Sequence, residues 1–95
     1  MLKKLTVLNL KGCENLKSLP RKFEMKSLKI LILSNCSKIK TIPEFGENMG
    51  CVIELHLNRT AITKLPTSIG NLSGLVSLDV SDCKNLMSLD RKSVV

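Results

Sequence analysis

At 95 residues the chain is the size of a single domain, and 15 lysines and arginines against 8 acids give it a net charge of +7. Its two phenylalanines are its only aromatic residues, which leaves little with which to stack nucleic-acid bases. No apolar run approaches the roughly 20 residues of a membrane span, and the Met1-Leu2-Lys3-Lys4 start lacks the unbroken apolar stretch of a signal peptide.

In chain order, the first unit runs Leu5, Leu8, Leu10, Cys13, Leu16, Leu19, Pro20. Leu8 and Leu10 alternate with residues free to point outward, the period of a half-buried strand, which predicts a strand near residues 7–11. A return leg follows through Phe23 and Met25. The second unit reads Leu28, Leu31, Leu33, Cys36, Ile39, Ile42, Pro43, with a strand near 30–34 and a return leg through Phe45 and Met49. There Gly46 and Gly50 bracket Glu47, Asn48 and Met49 and predict an irregular loop. The third unit, with a strand near 54–58, keeps Val52, Leu55, Leu57, Ile62, Leu65 and Pro66, puts Thr60 in the cysteine place and has one residue fewer after it. Its return leg passes through Ile69 and Leu72. The fourth, with a strand near 77–81, reads Leu75, Leu78, Val80, Cys83, Leu86, Leu89 and then Asp90 where proline stood. Apolar residues about three apart in the return legs predict short helical or 3₁₀ turns there.

The anchors Leu8, Leu31, Leu55 and Leu78 are thus 23, 24 and 23 residues apart. A frame of L-x-x-L-x-L-x-x-N/C with a period in the twenties is the signature of a leucine-rich repeat solenoid. The expected fold is α/β: a right-handed horseshoe arc of about four repeats of 23–24 residues, with parallel strands on the concave face and short helical or irregular return legs. Residues 2–89 would form the repeats and 90–95 a non-repeat tail. Each repeat buries its apolar face only against its neighbours, and neither end carries a capping pattern, so a piece of a longer solenoid is expected.

Cys13, Cys36, Thr60 and Cys83 should stack as an inward column where a small polar atom satisfies the turn. A Cys13–Cys36 bridge would be within reach, but packing as buried thiols explains the column without oxidation. Cys51 lies outside the column and should be more exposed. No Cys-x-x-Cys pair accompanies the lone His56, so no metal is expected. There is neither a phosphate-cradling glycine loop nor a nucleophile with acid and base at a recognisable spacing, so neither an enzymatic activity nor a cofactor is expected.

Function is better sought on the outward strand positions. Three columns face out: Val7, Ile30, Glu54 and Ser77; Asn9, Ile32, His56 and Asp79; Lys11, Ser34, Asn58 and Ser81. They vary between repeats while the inward leucines do not, which is how a concave solenoid surface selects protein partners. Ile30 and Ile32 make their strand apolar on both faces, as a partner hot spot or a surface under a neighbouring domain would be. The lysines scatter over turns and return legs and read as a solvated surface.

The segments LNLKGCENLKSLP (residues 8–20), LHLNRTAITKLP (55–66) and SIGNLSGL (68–75) closely resemble the repeats of plant intracellular immune receptors, of the class with a TIR domain, a nucleotide-binding domain and a C-terminal repeat region. That resemblance covers residues 2–89. It implies a cytoplasmic or nuclear protein-interaction module that recognises a pathogen effector or a host protein, or holds the receptor inactive against its nucleotide-binding domain. Neither nucleic acid nor membrane is expected as partner. An extracellular receptor ectodomain is the first alternative, on three Asn-x-Ser/Thr sequons at Asn35, Asn58 and Asn71; a small basic nucleic-acid binder is the second.

Overall fold

An inward leucine flanked by two outward residues forms a strand of three residues at each period, in residues 4–86, which the computed structural model describes. Strands β1 (Val7–Asn9), β3 (Ile30–Ile32), β5 (Glu54–His56) and β6 (Ser77–Asp79) build one parallel sheet in the order β1-β3-β5-β6. The register aligns Leu8, Leu31, Leu55 and Leu78, the four anchors of the sequence period. A parallel sheet needs a crossover between strands, and each return leg supplies one. Leu89 and the tail 90–95 lie outside the described residues.

The strands are shorter than the five residues predicted, because each chain segment leaves the extended conformation soon after its inward leucine. Gly12, Asn35, Arg59 and Asp82 all take left-handed backbone (φ 76, 64, 61 and 58°) and swing the next residue inward. That residue is the column of Cys13, Cys36, Thr60 and Cys83. The Cys36 thiol donates to the Leu10 carbonyl (3.0 Å), the Cys83 thiol to the Leu57 carbonyl (3.0 Å), and the Thr60 hydroxyl to the same Leu57 oxygen (2.8 Å). All four cysteines are free; Cys36 is buried and Cys51 exposed. Burial pushes the Cys36 thiol pKa up.

The return legs depart from expectation. Instead of helical turns, the first two carry β2 (Lys22–Phe23) and β4 (Glu44–Phe45), which pair as a second parallel sheet with the phenylalanine rings stacked 6.2 Å apart. Buried aromatic residues suit a pleated surface better than a tight turn. The irregular loop expected after Phe45 is confined to the turns that follow it, since the Gly46 amide still bonds to the Phe23 carbonyl (2.8 Å). Of the three described return legs, the third alone forms the expected 3₁₀ helix, Thr67–Asn71, begun by Pro66 with its φ preset at −68°.

The core lies between the two sheets. Leu31, Leu33, Cys36, Ile39 and Met49 from the second unit pack with Val52, Leu55, Leu57 and Ile62 from the third, all at most 1% exposed. Each such aliphatic side chain contributes about 1.5–3 kcal/mol on burial. Leu8, Leu10, Leu16 and Leu19 at one end, and Leu75, Val80 and Leu86 at the other, are half-buried.

Candidate functional site

Parallel pairing in register sets the outward residues into columns, since strand side chains alternate faces. Val7 stands beside Ile30, Ile30 beside Glu54 and Glu54 beside Ser77; Asn9, Ile32, His56 and Asp79 form the second column. Val7, Asn9 and Ser77 are exposed; Ile30, Ile32, Glu54, His56 and Asp79 are half-buried. These are eight of the twelve residues that the sequence placed together on one face.

The third column sits differently. Lys11, Ser34, Asn58 and Ser81 lie beyond the strands, in turns, joined sideways by backbone bonds such as Gly12 amide to Ser34 carbonyl (2.8 Å) and Arg59 amide to Ser81 carbonyl (3.0 Å). Ser34 is buried rather than displayed, its hydroxyl donating to Asn58 Oδ1 (2.6 Å). Lys11 and Ser81 are exposed and Asn58 is half-buried.

The face divides by chemistry. Its β1–β3 half is apolar through Val7, Ile30 and Ile32, while its β5–β6 half is polar and acidic. His56 Nε2 lies 2.9 Å from Glu54 Oε1, and Asp79 flanks His56 in the ladder. The Ser81 amide (2.9 Å) and hydroxyl (2.7 Å) both donate to Asp79 Oδ1 and, with a smaller contribution from His56, hold its carboxyl below the usual range. Asn9 plays the same part in the first unit, accepting from the Lys11 amide at 3.0 Å. Position by position, the second column therefore braces the following turn where it is Asn or Asp, and presents a free side chain where it is Ile32. The sequence signal for that bracing is an Asn or Asp two residues before the turn.

The three sequons are built into the turns and the return leg. The Asn71 amide donates to the Phe45 carbonyl (2.9 Å), Asn58 Oδ1 accepts from Ser34, and Asn35 is one of the left-handed turn residues. Beyond the strands in sequence, Lys17, Lys38 and Lys40 surround an open hollow with Ser37. Both aromatic rings are buried, Phe23 at 2% and Phe45 at 1% exposure. Among the described residues no helix is long and apolar enough to cross a membrane.

No solved structure matches this chain. Two curated relatives from Arabidopsis thaliana do: Disease resistance protein RPP2A is 42% identical over 86 residues, covering 90% of this chain and 6% of the relative. Disease resistance protein RPS4B is 45% identical over 82 residues, covering 86% of this chain and 7% of the relative. The chain thus spans a small fraction of the length of either. Residues 23–94 match the family described as Disease resistance protein RPS4B-like, leucine-rich repeats, and with three-quarters of its length inside that match the chain belongs to this family of plant disease-resistance leucine-rich repeats.

Proposed function

We propose that the chain is a non-catalytic protein-interaction module of a plant intracellular immune receptor, working in the cytoplasm or nucleus. Its strand face would line the concave side of a right-handed arc of about four repeats. It binds a pathogen effector, a host protein, or the nucleotide-binding domain of the parent receptor in its resting state. The observation that carries this is the in-register face: inward leucines keep the frame fixed while Val7, Ile30, Glu54, Ser77 and Asn9, Ile32, His56, Asp79 change from strand to strand.

The intracellular reading is supported by the cysteine column, where the Cys36 and Cys83 thiols donate to backbone carbonyls, and by the structural use of the sequons; a glycan on Asn71 would sit on the nitrogen that bonds to Phe45. A nucleic-acid role is disfavoured by the burial of both aromatic rings, which leaves no stacking platform.

In the full-length receptor, replacing Ile30, Ile32, Glu54, His56 and Asp79 should change effector-triggered response or release resting inhibition while protein level is maintained. Neutralising Lys17, Lys40 and Lys64 should leave both unchanged, since exposed substitutions stay within about 0.5 kcal/mol. Loss of response from the lysine set alone would place recognition on the other side of the solenoid.

A further inference from the structure

We propose that the strand face takes a protein segment carrying an apolar side chain next to a lysine or arginine, the apolar group over Val7, Ile30 and Ile32 and the cation over Glu54 and Asp79. The inference rests on the strand face being the partner surface and names the chemistry of what sits there.

Charge distribution carries it. Cations outnumber acids 15 to 8 in this chain, so an exposed acid has ample lysine and arginine with which to pair. Yet among the described residues only Glu24 and Asp82 find such a partner, Lys22 at 3.7 Å and Arg59 at 3.4 Å. Glu54 and Asp79 instead meet His56 and Ser81. No lysine or arginine lies within any strand of the face; the nearest in sequence, Lys11 and Lys29, fall outside the strand ends. Glu14, Glu44 and Glu47 elsewhere on the surface also lack such a partner, but Glu54 and Asp79 stand on neighbouring strands of one face, beside partly exposed apolar side chains and with no lysine or arginine inside the four strands, so the local charge there complements a cationic group.

Apolar exposure supplies the second half. Val7 is 44% exposed and lies directly beside Ile30, whose strand neighbour across the ladder is Glu54. Strands are about 4.8 Å apart. One apolar side chain seated between β1 and β3 therefore leaves the next residue or two of the same segment above Glu54, and the two recognition elements fall within the reach of a single short peptide. A bound cation would gain a charged acceptor at low cost, because Ser81 already holds Asp79 Oδ1 in place.

The test uses the 95-residue chain and four pools of synthetic peptides. Each peptide is about twelve residues long, enough to cross four strands spaced about 4.8 Å apart. The pools are apolar with Lys/Arg, apolar with Asp/Glu, apolar uncharged, and Lys/Arg without apolar residues, and binding is followed by fluorescence anisotropy. The variants are E54Q/D79N, I30T/I32T and K17Q/K38Q/K40Q. The D79N change keeps a side-chain carbonyl acceptor of the kind Asn9 already provides in the first unit, and threonine keeps β-branching, so circular dichroism should be unchanged. The apolar-basic pool should bind tightest, lose about tenfold or more with E54Q/D79N, where a charge-assisted bond is removed, lose similarly with I30T/I32T, and be unaffected by the lysine variant. Tightest binding by the acidic pool with sensitivity to I30T/I32T would overturn the proposed chemistry while leaving the face as the partner surface. Binding abolished only by the lysine variant would overturn both. Absence of binding by every pool would overturn the segment proposed here, and the full-length substitutions above would then decide the face itself.

Discussion

Gly12, Asn35, Arg59 and Asp82 recur with the same spacing as the leucines, and each holds a positive φ. Left-handed backbone brings the Cβ of an L-residue against its own carbonyl, a cost of about 1–2 kcal/mol that glycine escapes and that asparagine and aspartate tolerate best. Three of the four positions carry such a residue; Arg59 is the departure, and its exposed ion pair with Asp82 offsets little of that cost. Gly12 allows the backbone cost to be isolated, because a Cβ there would meet nothing within 4 Å. Gly12→Ala should therefore destabilise the chain by about 1 kcal/mol through conformation alone. Gly70, equally open but without a positive φ, is the control, and Gly70→Ala should be neutral or stabilising. Urea denaturation of the two variants reads the difference; equal effects would mean that the turn does not demand the left-handed residue.

Among the elements, the small sheet on the return side ends where side chains replace a strand. β4 pairs with β2, and on its other edge the Phe45 amide donates to Ser68 Oγ (2.7 Å) while the Phe45 carbonyl accepts from Asn71 Nδ2 (2.9 Å). Two side chains of the 3₁₀ helix thus satisfy the backbone groups that a third strand would have bonded. Asn71→Ala should leave the carbonyl of a buried residue unpaired and cost about 1–3 kcal/mol, with faster hydrogen exchange at nearby amides of the return legs; an unchanged midpoint would mean that water serves Phe45 equally well. None of this is legible in the sequence. Two-residue strands have no period to read, and Asn71 reads there as a sequon rather than as a strand substitute. The main sheet is legible because an alternating leucine fixes both strand and register, and eight outward residues follow from that register. The burial of Ser34 does not, since it depends on a turn whose signal, Gly12, Asn35 and Asp82, is masked in the third unit by Arg59.

At the scale of the molecule, stability is shared between neighbours, and the burial of equivalent leucines measures how unevenly. Leu31 and Leu55 are 1% and 0% exposed, Leu8 is half-buried and Leu78 is 40% exposed, although all four occupy the same place in the frame. In a stack where each repeat touches only the next, an interior anchor is covered from both sides and a terminal one from a single side. Gly74 shows how close the interior contacts run: a Cβ there would stand 2.6 Å from the Gly50 carbonyl oxygen, so successive return turns touch through their backbones. Leu31→Ala and Leu55→Ala should each cost about 2–5 kcal/mol, the range for a cavity that cannot collapse. The terminal changes should cost less, because part of each side chain is already in water: Leu78→Ala no more than about 1.5 kcal/mol, with Leu8→Ala in between. Denaturant midpoints for the four variants of this chain, read with their slopes, test the gradient. Four equal losses would show that each repeat is stabilised within itself, and the coupling between neighbours that holds the strand face in register would have to come from elsewhere in the sheet.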